Sequence, residues 1–252
     1  MKLCRFESIQ NPGQIHSGIF YENRIYETDG KNPVAVHELS NIRLLSPVGR
    51  PNSIRIFKNV QEAGFPGYCY LNPSHFGTQS EWILPSSLNE LDFEVRIASA
   101  IGKPGEEIEI DDAESYILGY TIFLNFIHQD PNQQGTPSIW SRDFKSVIGP
   151  FLVTAEEFST LENDQTPPEF WKMTLRINKE IIFEGKQPLR ASFPSLIKTC
   201  SQRCEVLPGD LLCSPAFEKE SLLHSKLGRF LLPGDIIYVS VEGLGTLVFK
   251  VS

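Results

Sequence analysis

Residues 91–105 read LDFEVRIASAIGKPG, and the alternation in that run constrains this chain more than any other feature. Period-two alternation belongs to a β-strand with two unlike faces. Phe93, Val95 and Ile97 point one way; Glu94, Arg96, Ala98 and Ala100 point the other. An acid and a base two residues apart, followed by small side chains, suit a polar pocket floor with room for a ligand. Two carboxylates at that spacing would hold a hard cation such as magnesium, because such ions demand several oxygen ligands. A carboxylate beside a guanidinium does not offer them.

The rest of the chain is strands and turns as well. KLCRFES, then HSGIFYENRIYET with a turn at Glu22-Asn23, predict a short antiparallel unit ending near Val48. Pro47, Pro51 and the glycines around them punctuate the passage to a second part. The expected division is a small N-terminal β-domain, residues 1–46, and a larger domain, residues 47–252. Strands are expected in IRIFKN, SYILGYTIFLNFI, FLVT, DLLCSP, DIIYVSVEG and GTLVFKVS, with KMTLRINKEIIFEG a hairpin across Asn178-Lys179. VLPGDLL and LLPGDII repeat one device: Pro pre-sets the first central φ of a turn, Gly takes the positive φ of the second, and a strand follows. Helices are few and short: residues 111–116, 154–158 and 193–200, the last with Ser192 as its N-cap. Residues 130–138 (DPNQQGTPS) read as a polar loop, and residues 62–72 as an irregular stretch rich in Gly and aromatic residues. The fold class is mainly β (α+β).

Composition excludes more than it selects. A net charge of −8 and a pI near 5.2 argue against nucleic acid or an anionic membrane as partner. No apolar run approaches the length of a spanning helix, and MKLCRFESIQ lacks a charged-then-apolar signal pattern. The five cysteines (Cys4, Cys69, Cys200, Cys204, Cys213) show no zinc-finger spacing and read as reduced thiols, although one helical turn could bring Cys200 to Cys204. A cytoplasmic protein is expected. His16, His37, His75 and His224 show no metal-site spacing and read as surface residues.

In order, ELDFEVRIASAIGKPGEEI, DDAESYILGYTI, SRDFKSVIGPFLVT, LRINKEIIFEG, LPGDLL and LLPGDIIYVSVEGLGTLVFKV resemble the fumarylacetoacetate hydrolase superfamily. The resemblance spans residues 42–252, and the segment before it resembles that family's small N-terminal β-domain. It implies a mixed β-roll whose central strands line one pocket, and a homodimer. It also implies metal-dependent chemistry on 2-keto, β-diketo and enol acids: hydrolysis, decarboxylation, tautomerisation or isomerisation. Fold alone does not settle function, so each position matters.

Position by position, the resemblance implies that the ancestral site is broken. Active members carry E-x-E on the strand matching residues 92–101; here Glu94 keeps the first acid and Arg96 replaces the second. The metal-binding Asp after the GYT-containing strand is Asn125. A further Asp of the subgroup nearest this chain aligns with Ile56, and the general-base His with Ala63, which can neither take nor give a proton. The substrate-binding Arg and Gln fall on Gln129 and Asn132, and the electrophilic Lys on Arg142. The C-terminal G-T is replaced within CSPAF, where Ser214 can supply a hydroxyl. Glu94 and the Asn125 amide cannot offset the permanent charge of Arg96, so no metal and no other cofactor is expected there.

Arg96 is expected to pair with Glu94 and occupy the old cation site, with Arg142 a second guanidinium nearby. Arginine's fork suits carboxylates and enolates. The expectation is a metal-free pocket for a small acidic ligand, with Arg142 or Arg96 stabilising developing charge. Glu94, His128 and Tyr120 are the nearest candidates for proton transfer. Asn125, Gln129, Tyr120 and Ser214 are the expected ligand contacts. Two functions fit. One is a diverged, metal-independent enzyme acting on a small keto or enol acid by tautomerisation, cyclisation, dehydration or decarboxylation. The other is an inactive pseudoenzyme serving as a dimeric binding or scaffold protein, its Arg96–Glu94 pair plugging a dead site.

Overall fold

A computed structural model describes residues 1–58, 67–78, 90–128, 139–159, 170–217, 222–223 and 225–252. The expected loop at 130–138 and residues 62–66 of the irregular stretch at 62–72 lie outside them. β1 (Lys2–Ser8) pairs with β2 (Ile15–Tyr21), which turns through Glu22 and Asn23 into β3 (Arg24–Thr28) and then β4 (Pro33–Glu38). Both turn residues have positive φ, 47° and 62°, so the turn's twist matches that of its strands. The other edge of β1 pairs over Arg5 to Ser8 with β5 (Ile42–Leu45). Cys4, Phe6, Ile25 and Ile42 make a small core here. His16 and His37, read as surface residues, instead pack against the Phe6 ring and share one acid. His16 Nδ1 and His37 Nε2 each lie 2.7 Å from a Glu27 oxygen. The side chains of His75 and His224 lie outside the described residues.

The next strands are β6 (Ile54–Phe57), β7 (Tyr68–Leu71), β8 (Phe76–Thr78) and β9 (Leu91–Ile101). A short helix, α1 (Ile110–Ala113), and a 3-10 turn lead into β10 (Ile117–His128); β11 (Ser146–Ile148), β12 (Leu152–Val153) and α2 (Ala155–Ser159) follow. β9 and β10 pair antiparallel along their whole length, Leu91 opposite His128 and Ile101 opposite Ile117. β12 bridges β10 to Lys2 and Leu3 of β1, so the hydrogen-bonded sheet runs on into the N-terminal strands. Gly119 permits this crossing: a Cβ there would meet the Val153 carbonyl oxygen at 2.5 Å.

The chain closes with the hairpin β13 (Phe170–Ile177) and β14 (Glu180–Pro188), then α3 (Phe193–Ser201), β15 (Leu211–Cys213), β16 (Ile236–Val241) and β17 (Gly245–Lys250). Ser192 caps α3 by accepting from the Ser195 N–H, as its residue type predicts. One sheet orders its strands β4-β3-β2-β1-β12-β10-β9-β15-β6-β7, with β5, β11 and β8 at its sides. β15 with β6 and β8 with β11 are its parallel pairs, so it is mixed. A second sheet orders β14-β13-β16-β17. The two Pro-Gly-Asp turns close identically. Asp210 and Asp235 donate their N–H groups back to Leu207 and Leu232, and each carboxylate accepts the N–H of that same leucine. Gly209 and Gly234 supply the positive φ, 85° and 94°.

The main core lies on one face of β9 and β10. Phe93, Val95, Ile97, Leu124 and Phe126 share it with the second sheet and with the Phe193–Leu196–Ile197–Cys200 stripe of α3. The opposite face corrects the expectation of an open floor. Ala98 and Ala100 are fully buried in a second core with Ile54, Ile56, Phe123, Ile148 and Leu211. Small side chains there admit apolar neighbours, not a ligand. All five cysteines are free thiols. Among the described residues no helix is long and apolar enough to cross a membrane.

Candidate functional site

Beyond that second core the same face of β9 turns polar. Strand register sets Asn125 of β10 directly opposite Glu94, and Arg96 stands two residues along. Arg142 enters from the 3-10 turn Ile139–Arg142. Glu94 Oε2 accepts from Arg96 Nη2 at 2.8 Å, Asn125 Nδ2 at 2.9 Å and Arg142 Nε at 3.3 Å; its Oε1 accepts from Arg142 Nη2 at 2.7 Å. Arg142 thus grips the carboxylate with two N–H groups, the strong fork geometry.

Arg96 is locked. Its Nε donates to Asn125 Oδ1 at 3.1 Å, and its Nη1 donates to the carbonyls of Phe57 and Ser214, each at 2.7 Å. With the bond to Glu94, four of its five N–H groups are held. Its side chain is 3% exposed, against 17% for Glu94 and 14% for Arg142. The buried end of the cluster is therefore Arg96, and the accessible end is Glu94 with Arg142.

Electrostatics follow from that packing. Burial alone would raise the Glu94 carboxyl; the Arg96 charge and the paired Arg142 overcome it and hold the group well below the usual carboxylate range. Burial opposes the charge on Arg142, and Glu94 outweighs it, raising that guanidinium further. Glu94 and Arg142 therefore both stay ionised across the physiological range.

The donor set does not fit a divalent metal. Among the described residues the only carboxylate of the cluster already accepts four hydrogen bonds, and the second position on the strand is a cation. Among the described residues no group of three or more His, Cys, Asp or Glu could hold a metal ion. Hard cations need several oxygen ligands, and among the described residues a single carboxylate held by two guanidinium groups does not supply them.

The structure joins Glu94, Arg96, Asn125, Arg142 and Ser214 and sets Tyr120 and His128 apart. Ser214 joins through its backbone: its carbonyl takes Arg96, while its hydroxyl accepts the Ile97 N–H at 3.1 Å and donates to the Pro215 carbonyl. Strand alternation puts Tyr120 and His128 on the opposite face of β10 from Asn125. The Tyr120 ring packs against Phe193 and Trp171 in the main core, where burial raises its hydroxyl. His128 meets Glu90 at 3.5 Å at the strand end. Neither reaches the cluster, so neither expectation of proton transfer to it is met. Ile56 belongs to the second core, and Ala63, Gln129 and Asn132 lie outside the described residues. The Phe57 carbonyl is the contributor that residue types alone do not reveal, because a backbone acceptor leaves no mark on them.

Residues 52–252 match the family described as fumarylacetoacetate (FAA) hydrolase, C-terminal. The chain belongs to the fumarylacetoacetate hydrolase family. Among its relatives, the mitochondrial oxaloacetate tautomerase FAHD2A of Homo sapiens is 25% identical over 228 residues, covering 84% of this chain and 70% of that protein. The fold likeness extends over the whole chain. The 5-carboxymethyl-2-hydroxymuconate delta-isomerase of Mycobacterium smegmatis has a TM-score of 0.81 at 20% identity, covering 100% of this chain and 99% of that one. The maleylpyruvate hydrolase of Sphingobium sp. SYK-6, in complex with manganese(II) and pyruvate, has a TM-score of 0.78 at 18% identity, covering 100% and 98%. The mixed β-roll of the fumarylacetoacetate hydrolase family is therefore the fold of this chain, and its relatives include tautomerases, isomerases and hydrolases.

Proposed function

We propose that this chain is a metal-independent enzyme acting on a small keto or enol acid, with Arg142 as the ligand-facing cation. The observation that carries this reading is charge. Among the described residues, Arg96 and Arg142 against Glu94 leave one positive charge uncompensated within the hydrogen-bonded cluster, on the accessible side. Among the described residues, Arg142 Nη1 takes no hydrogen-bond partner, so two donors are available to a carboxylate or enolate oxygen. Arg96 and Asn125 hold Glu94 in place, and Glu94 holds Arg142, so the donors are oriented before a ligand arrives.

The same geometry sorts the possible reactions. Glu94 is a poor base, because taking a proton would forfeit its bonds to two guanidinium groups. Hydrolysis needs an activated water, and the described part of the cluster offers no group to activate one. Decarboxylation of a 3-keto acid needs no base: the pair of the breaking C–C bond becomes the enolate, carbon dioxide leaves, and solvent protonates the product. Ketonisation of an enol acid makes similarly light demands. Both develop charge on an oxygen that Arg142 can stabilise. The family relatives named for oxaloacetate and found with pyruvate support small 2-keto acids as the substrate class. In this reading the protein works as a cytoplasmic homodimer.

A second reading, an inactive dimeric binding or scaffold protein, is favoured by one observation: Arg96 is fixed and buried where an open site would need space. A thermal-shift and turnover screen with pyruvate, oxaloacetate and small dicarboxylic acids separates the two, run in EDTA and again with magnesium or manganese. Stabilisation and consumption of a keto acid in EDTA support the enzyme. Activity that appears only with metal overturns metal independence. No response to any acid favours the scaffold.

A further inference from the structure

On β6, Arg55 alternates with Ile54 and Ile56 and so faces the α3 side of the sheet, away from Glu94. Its side chain is 4% exposed. Nη2 lies 3.5 Å from Asp210 Oδ2, and the guanidinium sits 5.7 Å from the Tyr70 ring centroid. Nε and Nη1 are buried and make no hydrogen bond among the described residues. Native proteins rarely leave a buried donor unpaired, so these groups need an explanation.

The C-terminal turn of α3 supplies one. Cys200 is buried there, and its thiol interacts with Arg55, Cys204 and Asp210; burial pushes the thiol up to about 11 while Arg55 pulls against it. Cys204 is exposed, and its own N–H donates to the Cys200 carbonyl at 3.2 Å. The Cys204 thiol folds back to 3.9 Å from that same oxygen. A buried thiol and an exposed thiol therefore flank a buried guanidinium with donors to spare. Residues four apart in a helical turn have Cα atoms about 6 Å apart, within the span of a disulfide.

We propose that Cys200 and Cys204 form a redox-active dithiol, oxidised by hydrogen peroxide with Arg55 as the supporting cation. The Cys204 thiolate attacks one peroxide oxygen; the O–O bond breaks, a sulfenic acid forms, and the departing oxygen leaves as water after taking a proton from solvent. Cys200 then gives up its proton and attacks the Cys204 sulfur; the S–O bond breaks, water leaves, and the disulfide forms. Two thiols are oxidised and one peroxide is reduced to two waters. Arg55, beside Cys200, stabilises the thiolate that the second step requires. This inference is independent of the function proposed above.

The test treats the reduced full-length protein with hydrogen peroxide, blocks remaining thiols and digests with trypsin, which cuts between Arg203 and Cys204. The expected product joins peptide 199–203 to peptide 204–219, lighter by two hydrogens than their sum, with fragmentation assigning the bond to Cys204 and not Cys213. In Cys200→Ser the link is lost and dimedone labels Cys204. Arg55→Met slows linking by about tenfold; near-UV circular dichroism checks its fold, and Arg55→Gln replaces it if it unfolds. Cys204 passing to sulfinic acid with no linked peptide in the wild type would overturn the dithiol. An unchanged rate in a folded Arg55 variant would overturn the arginine's role.

Discussion

Arg96 Nη2 donates to Glu94 Oε2 at 2.8 Å, although only Val95 separates the two residues on β9. The pair is an intrastrand counter-ion, and its surroundings decide its meaning. Asn125 donates to Glu94 and accepts from Arg96, closing a triangle, while Arg142 adds the second guanidinium. A partly buried carboxylate between two cations is strongly bound and strongly binding. Its removal should be felt in stability, in pH dependence and in ligand response.

Glu94→Gln leaves the buried Arg96 facing no anion. The expected cost is about 3–5 kcal/mol, the range for breaking a buried pair at one end. Arg96→Met is expected to cost less, because Glu94 keeps Arg142 and Asn125. Urea unfolding of both variants ranks them; the reverse order refutes the picture of Glu94 as the common counter-ion.

Acid should act through the same carboxylate. In the unfolded chain Glu94 titrates near the ordinary glutamate value, about 4.3, and in the fold it is held well below that. The ionised form therefore favours the fold, and its contribution is complete above the ordinary value. It is lost progressively as the pH falls from there toward the folded value. Between about pH 5 and pH 3, wild-type stability is expected to fall more steeply than that of Glu94→Gln. Parallel pH curves for the two proteins would rule out the linkage.

Rebuilding the acids should rebuild a cation site. Arg96→Glu with Asn125→Asp replaces a guanidinium and an amide by two carboxylates beside Glu94, three oxygen donors of the kind manganese and magnesium require. The double variant is expected to bind manganese in solution, read by the loss of the free-ion electron spin resonance signal. Wild type is expected to leave that signal unchanged. Equal binding by both proteins would place the metal elsewhere.

Arg142→Ala removes the accessible cation and leaves the buried triangle intact. Stabilisation by a keto acid is expected to drop by about 1.5–3 kcal/mol of binding free energy, the worth of hydrogen bonds to a charged group. Arg142→Lys should recover part of it, since charge returns without the fork. Isothermal titration with pyruvate or oxaloacetate measures both; undiminished affinity in Arg142→Ala would remove Arg142 from the ligand.

Local rules account for much of this fold. Alternation marks β9, positive-φ residues mark the hairpin turns at Glu22-Asn23 and Asn178, and Ser192 marks the start of α3. Those signals are short-range, so they survive without tertiary knowledge. The cluster was partly legible for the same reason: Glu94 and Arg96 are neighbours on a strand, and family motifs carry Asn125 and Arg142 to the same place. Tyr120 and His128 misled because they share a strand with Asn125, and nearness in sequence is not nearness on a pleated sheet. Each lies an odd number of residues from Asn125, hence on the other face.

What the sequence determined by itself is the run of strands and turns, the family, and the substitution of a guanidinium where a second carboxylate would serve a metal. How that guanidinium is used depends instead on contacts between distant segments. Ala98 and Ala100, small enough to suggest an open floor, lie beneath apolar side chains from β6, β10, β11 and β15. The Phe57 and Ser214 carbonyls, far apart in the chain, converge on Arg96 and hold it. Backbone acceptors and the filling of space by distant strands have no local residue code, because both arise from packing between segments.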